Sequence, residues 1–215
     1  MHPDANLIAD RPVFAGILID SSGSMQPYTS AVIEAHRVML DMLRKSEKCV
    51  KGVLWVYQCL FSDTPQQLNS FYPLRPEGPQ HDKVTVLDTS NYKPDGRTAL
   101  YDAVLTMTKE LDAQRQGAFR RGLPSGARIA VITDGEDNAS QARPEQVQAA
   151  ISDLRSKEWL DASVVVGLKN QTFDETRLKA LQLSLGFSQR ISLERSPQEV
   201  RRAFVLASKF VAGKA

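Results

Sequence analysis

Apolar and mixed stretches alternate along the chain from Val13 to Val211. Residues 13–19 (V-F-A-G-I-L-I) are almost unbroken in apolar character, the pattern of a strand covered on both faces. Residues 53–61, 128–133, 162–168 and 187–193 predict further strands. Residues 67–72 and 83–87 are more polar and alternate better, as an antiparallel edge or hairpin would.

The stretches between them follow the helical period. Val32, Ala35, Met39, Met42 and Leu43 share one face of a first helix, and Leu100, Ala103, Val104, Met107 and Leu111 share one face of a second. Val147, Ala150, Ile151 and Leu154 follow Pro144, which suits the first turn of a third. Leu178, Leu181 and Leu185 mark a shorter one. The last helix has the clearest start, with Ser196, Pro197, Gln198 and Glu199 reading as a capping box ahead of the apolar stripe Val200, Ala203, Phe204, Ala207, Phe210 and Val211. The methionines of these stripes read as core. The alternation implies a doubly wound α/β fold, a mostly parallel six-stranded sheet with one antiparallel edge strand and helices on both faces. Residues 73–80, rich in Pro and Gly, are too short to divide domains, so residues 1–215 read as one domain with its core at about 13–211.

In such a sheet, ligands bind beyond the carboxyl ends of the strands. The loop after the first strand reads Asp20, Ser21, Ser22, Gly23, Ser24; the loop before the second helix reads Asp95, Gly96, Arg97, Thr98; the loop after residues 128–133 reads Asp134, Gly135, Glu136, Asp137, Asn138. All three carry carboxylates or hydroxyls beside glycine. An oxygen-only donor set suits Mg²⁺, Mn²⁺ or Ca²⁺ rather than zinc or copper. Asp20, Ser22 and Ser24 alternate, so a segment turning past the strand end can aim all three at one point. Two serine hydroxyls, a third hydroxyl from Thr98, and carboxylates acting mainly through water leave a cation under-neutralised. Such an ion seeks one more anionic oxygen, which a partner's Asp or Glu supplies.

At these residues the sequence resembles the von Willebrand factor A domains, whose metal-ion-dependent adhesion site has the pattern D-x-S-x-S, then a Thr in a second loop, then an Asp after the fourth strand. Asp20, Ser22, Ser24, Thr98 and Asp134 match all five positions. The resemblance implies that Ser22 and Ser24 ligate the metal directly, that Thr98 does so directly or through water, and that Asp20 and Asp134 accept hydrogen bonds from coordinated waters or approach the metal when no partner is present. Gln26, Tyr28, Arg97, Glu136 and Asp137 are expected at the partner-binding rim. The resemblance further implies a cytoplasmic, bacterial-type, stand-alone interaction module. Such modules work beside an AAA ATPase, a kinase or a phosphatase. Capping of the following helix is the alternative role for Asp20, Ser22 and Ser24.

Composition narrows the other classes. Lys and Arg number 27 and Asp and Glu 25, a net charge of +2, which lacks the broad basic face of a nucleic-acid binder. No apolar run approaches the roughly 20 residues of a membrane span, and residues 1–12 lack the apolar core of a secretory signal. Cys49 and Cys59 are too few for a disulfide framework. No P-loop, dinucleotide fingerprint or nucleophile elbow is present. A metal-dependent phosphoester hydrolase using the same acids is the competing function, although the second position after Asp20 is Ser22 rather than the Asp that acid catalysis there requires. His36 and His81 lack ligand spacing, and Arg120, Arg121 and Arg128 read as a solvated basic cluster.

Overall fold

The computed structural model describes residues 11–213. Residues 1–10, most of the segment read above as lacking a signal pattern, lie outside the described residues. The strands are β1 (Val13–Asp20), β2 (Leu54–Phe61), β3 (Pro65–Pro73), β4 (Gly126–Thr133), β5 (Ala162–Lys169) and β6 (Gln189–Glu194). The long helices are α1 (Thr29–Arg44), α2 (Leu100–Arg120), α3 (Pro144–Ser156), α4 (Glu175–Ser184) and α5 (Pro197–Ala212), and a 3₁₀ turn spans Gly23–Tyr28. The sheet order is β3-β2-β1-β4-β5-β6, with only β3 antiparallel to its neighbour.

Every residue of β1 is buried, as its unbroken apolar run requires. Val13, Ala15, Ile17 and Ile19 face α1 and α5 in one core, while Phe14 and Leu18 face α2, α3 and α4 in the other. Gly16 sits opposite Met107, where an added Cβ would lie 2.8 Å from its sulfur, so α2 crosses β1 closely. Strand order reverses on either side of β1. β2 lies on one flank and β4 on the other, which opens a crevice at their carboxyl ends.

Three local expectations change. Residues 83–87 form no strand. They run beside β3, fixed by side chains instead of a ladder: Thr85 N donates to Asn69 Oδ1 at 3.1 Å, and Gln58 Nε2 donates to Thr85 O at 2.8 Å. The same buried network reaches His36, whose Nε2 pairs with Gln58 Oε1 while its Nδ1 accepts from Leu87 N. Next, the capping box of α5 is only half made. Ser196 Oγ accepts from Glu199 N at 3.2 Å, but Ser196 N is already spent on Glu194 O. Finally, Arg128 leaves the predicted basic cluster. It donates from Nη1 to Phe210 O at 2.6 Å, at the carboxyl end of α5, where a cation meets unpaired carbonyls. Cys49 and Cys59 are both buried and free.

Candidate metal centre

The three loops singled out by sequence meet at the β1/β4 crevice. Gly23 N donates to Gly96 O at 3.0 Å and Asp95 N to Ser21 O at 2.9 Å, which joins the first loop to the second. Thr98 N donates to Asn138 Oδ1 at 2.8 Å, and Asn138 N returns a bond to Thr98 O at 2.9 Å, which joins the second loop to the third. Gly96 makes the turn before Thr98 with φ +74, a left-handed conformation that a Cβ would strain.

Asp20, Ser22, Thr98 and Asp134 are all buried at the floor of the crevice, and Ser24 is exposed above them. Ser22 Oγ lies 3.0 Å from Ser24 Oγ, and Ser24 Oγ donates to Asp134 Oδ1 at 2.7 Å. Two adjacent ligands of an octahedral Mg²⁺, each at about 2.1 Å, stand about 3.0 Å apart. The Ser22 and Ser24 hydroxyl oxygens already keep that spacing. Asp134 Oδ2 is buried with no aligned hydrogen bond, and a cation, the Arg195 guanidinium, stands 2.7 Å from it. The residues therefore fit a divalent cation with oxygen ligands. Among the described residues no group of three or more His, Cys, Asp or Glu is arranged to hold a metal, so hydroxyls must contribute.

The capping alternative fails for the hydroxyls. Ser22 stands at the N-cap of the 3₁₀ turn, yet its side chain makes no capping bond. Asp20 instead braces its own loop, accepting from Ser22 N at 2.8 Å and from Thr133 Oγ1 at 2.6 Å. Tyr92, almost wholly buried, donates to Asp20 O at 2.9 Å and fixes the strand end from below. Burial, and then the charge of Asp134, push the Asp20 carboxyl up to about 6. Burial also raises Asp134, against lowering by the Ser24 bond and Arg195. Two desolvated acids in one crevice hold negative charge that the protein itself does not fully neutralise.

The rim residues divide. Gln26 is exposed on the 3₁₀ turn, and Glu136 pairs with Arg177 at 3.7 Å beside the cleft. Arg97 is committed to Asp63, through both its backbone N–H and its side chain. Asp137 borders the cleft and also serves the backbone of α2. It accepts from Tyr101 N at 3.0 Å and from Ser140, supplying the start of α2 with the cap that Ala99 cannot give. Tyr28 lies beneath Arg195, its ring 5.2 Å from the guanidinium carbon.

Arg195 is the residue that the sequence reading missed. It leaves the end of β6 just before the N-cap Ser196 and reaches back across the crevice. Its Nη2 lies 2.7 Å from Asp134 Oδ2 and also donates to Ser24 O. No spacing motif marks it, because its partners Asp134 and Ser24 lie 61 and 171 residues away along the chain. Asn170, at the end of β5, was missed in the same way and donates to Asp134 O at 2.9 Å. Above these groups lies an open cleft of about 630 Å³, reaching Thr98, Glu136, Asn170, Phe173 and Arg177.

No family model and no curated protein matches the sequence. Solved structures do match its fold. The PilB minor pilin from Streptococcus sanguinis aligns at TM-score 0.65 and 14% identity, covering 94% of this chain and 62% of that one. A von Willebrand factor type A protein from Catenulispora acidiphila aligns at TM-score 0.64 and 14% identity, covering 94% and 43%. This chain thus spans less than two thirds of the first and less than half of the second. The von Willebrand factor domain of the pilus tip protein Mfa5 from Porphyromonas gingivalis aligns at TM-score 0.58 and 12% identity over 96% of this chain and 97% of that one. Sheet order, the lone antiparallel strand and these alignments agree that the chain has the Rossmann-like α/β fold of von Willebrand factor A domains.

Proposed function

We propose that this chain is a metal-dependent protein-interaction module. Ser22, Ser24 and Thr98 would ligate a divalent cation, Asp20 and Asp134 would hold its waters, and an Asp or Glu of a partner protein would complete the coordination. The observation that carries the reading is the pair of serine hydroxyls, Ser22 and Ser24, 3.0 Å apart and joined by a 2.7 Å bond to the buried Asp134 carboxylate. Mg²⁺ or Mn²⁺ suits these hard oxygens best. A mussel byssus protein of the same fold, aligned at TM-score 0.56 and 16% identity, is described with a zinc-occupied MIDAS motif, which supports a divalent ion of this general kind. Pilins and a pilus adhesin among the structural neighbours support a binding role.

The hydrolase alternative is less well supported. Asp20 is 0% exposed and both of its oxygens accept hydrogen bonds, so neither is aimed at a substrate. The test is the double variant Ser22→Ala/Ser24→Ala. Mn²⁺ binding, followed by the loss of the free-ion electron paramagnetic resonance signal, should vanish while the circular dichroism spectrum is unchanged. Retained Mn²⁺ affinity in that variant would refute the assignment.

A further inference from the structure

The guanidinium of Arg195 stands where the charge of a metal is wanted. Its Nη2 lies 2.7 Å from Asp134 Oδ2, the oxygen that has no aligned hydrogen-bond donor, and the same nitrogen reaches Ser24 O. The contact with Asp134 is one of charge proximity, since the geometry is not that of a directed hydrogen bond. Arg195 Nε is likewise buried without an acceptor. The backbone is held by Arg195 N donating to Lys169 O at 3.1 Å and by the Tyr28 hydroxyl donating to Arg195 O at 3.4 Å, while the Tyr28 ring lies beneath the guanidinium. The guanidinium is therefore drawn to Asp134 by charge, with few directed bonds of its own.

Resting on the metal reading above, we infer that Arg195 is a tethered cation that competes with the divalent ion for the charge of Asp134 and so sets the metal affinity of the free domain. Two cations cannot share one carboxylate oxygen at such range without strong repulsion. Entry of the metal requires the guanidinium to leave. The way out is open, because the Arg195 side chain is 23% exposed and borders the cleft. The competition is one of charge against charge at a single buried carboxylate. It is relieved by metal concentration, or by a partner carboxylate that raises the affinity of the metal. The domain would thus resist metal until ion and partner arrive together.

The test compares Mn²⁺ affinity of the wild type, Arg195→Gln and Arg195→Lys by the same resonance titration, in the absence of any partner. Arg195→Gln should bind about tenfold tighter, the scale of one lost charge-assisted contact. Arg195→Lys, which keeps the charge, should stay within about threefold of the wild type. Affinities of wild type and Arg195→Gln within twofold of each other would overturn the competition. Failure of wild type and Arg195→Gln alike to bind Mn²⁺ would overturn the metal reading itself, a different outcome. A second measurement uses the unmodified protein. The ¹⁵N resonance of Arg195 Nε should shift on saturation with Mg²⁺, and a stationary resonance in Mg²⁺-saturated protein counts against displacement.

Discussion

Asp20→Asn should make the metal-free protein more stable at neutral and alkaline pH, even though it removes a group needed for the metal. Burial first, and the Asp134 charge second, raise the Asp20 carboxyl from 3.8 to about 6. A folded-state value above the unfolded one means that the folded protein holds this proton more tightly. Its contribution is therefore most favourable at low pH and is lost as pH rises from about 4 to about 6. At roughly 1.4 kcal/mol per pH unit, the penalty for the buried charge is about 3 kcal/mol at pH 8. At pH 5 the unfolded chain has lost the proton and the folded chain has kept it, so the penalty falls to about 1.5 kcal/mol. The amide fits the same contacts. Its oxygen keeps the bond from Ser22 N, and its NH₂ can meet Thr133 Oγ1, which has Gly135 O available for its own proton. Urea unfolding in EDTA, at pH 8 and pH 5, measures the difference between variant and wild type. The variant should lead by up to about 3 kcal/mol at pH 8, and the lead should shrink by about half at pH 5. His36 also titrates within this range in the unfolded chain, but it cancels in the difference. Added Mg²⁺ should stabilise the wild type and leave the variant unmoved. A variant equal to or weaker than the wild type at pH 8 in EDTA would refute the reasoning.

Two further outcomes test the frame of the site. Gly167→Ala would place a Cβ 2.6 and 2.8 Å from the two methyls of Leu178 and 3.1 Å from Phe173, so the buried Leu178 side chain, or α4 with it, must give way; the urea midpoint should report a loss of about 1–3 kcal/mol, and a loss under about 0.5 kcal/mol would show that this packing yields freely. Burial, helped by the Arg44 charge and opposed by the Gln58 bond, lowers His36 from 6.5 to about 4. Its neutral form contributes full stability above pH 6.5 and loses it as pH falls towards 4, so its ring resonances should stay those of the neutral Nε2–H tautomer at pH 5, and titration near 6.5 in the folded protein would overturn the network assigned to it.

The pattern of apolar positions was enough for the sheet and its helices because burial on two faces leaves a direct trace in β1. It misjudged residues 83–87, which alternate like a strand but are held by Gln58 and Asn69 side chains that reach them from β2 and β3. The site was legible in part. Asp20, Ser22 and Ser24 lie within five positions, so one turn brings them together, and loops at one sheet edge bring Thr98 and Asp134 to the same place. The role of Asp137 was not legible, since its oxygens serve the backbone of Tyr101 on another element.

What the sequence by itself determined is the period of each element, the sheet edge where chemistry gathers, and the oxygen character of the donors. These follow from local spacing and side-chain type. What only the tertiary structure decided is the state of charge in the crevice. Neither Asp20 nor Asp134 announces in sequence that it will be desolvated, and Arg195 has no neighbour in the motif. Folding carries β6 to the far end of the sheet from β3 and returns the chain before α5 to Asp134, so a carboxylate that reads as a metal's partner is met first by the protein's own cation. Electrostatics depends on distance through space and on burial, and both are set only when the strands have found their order.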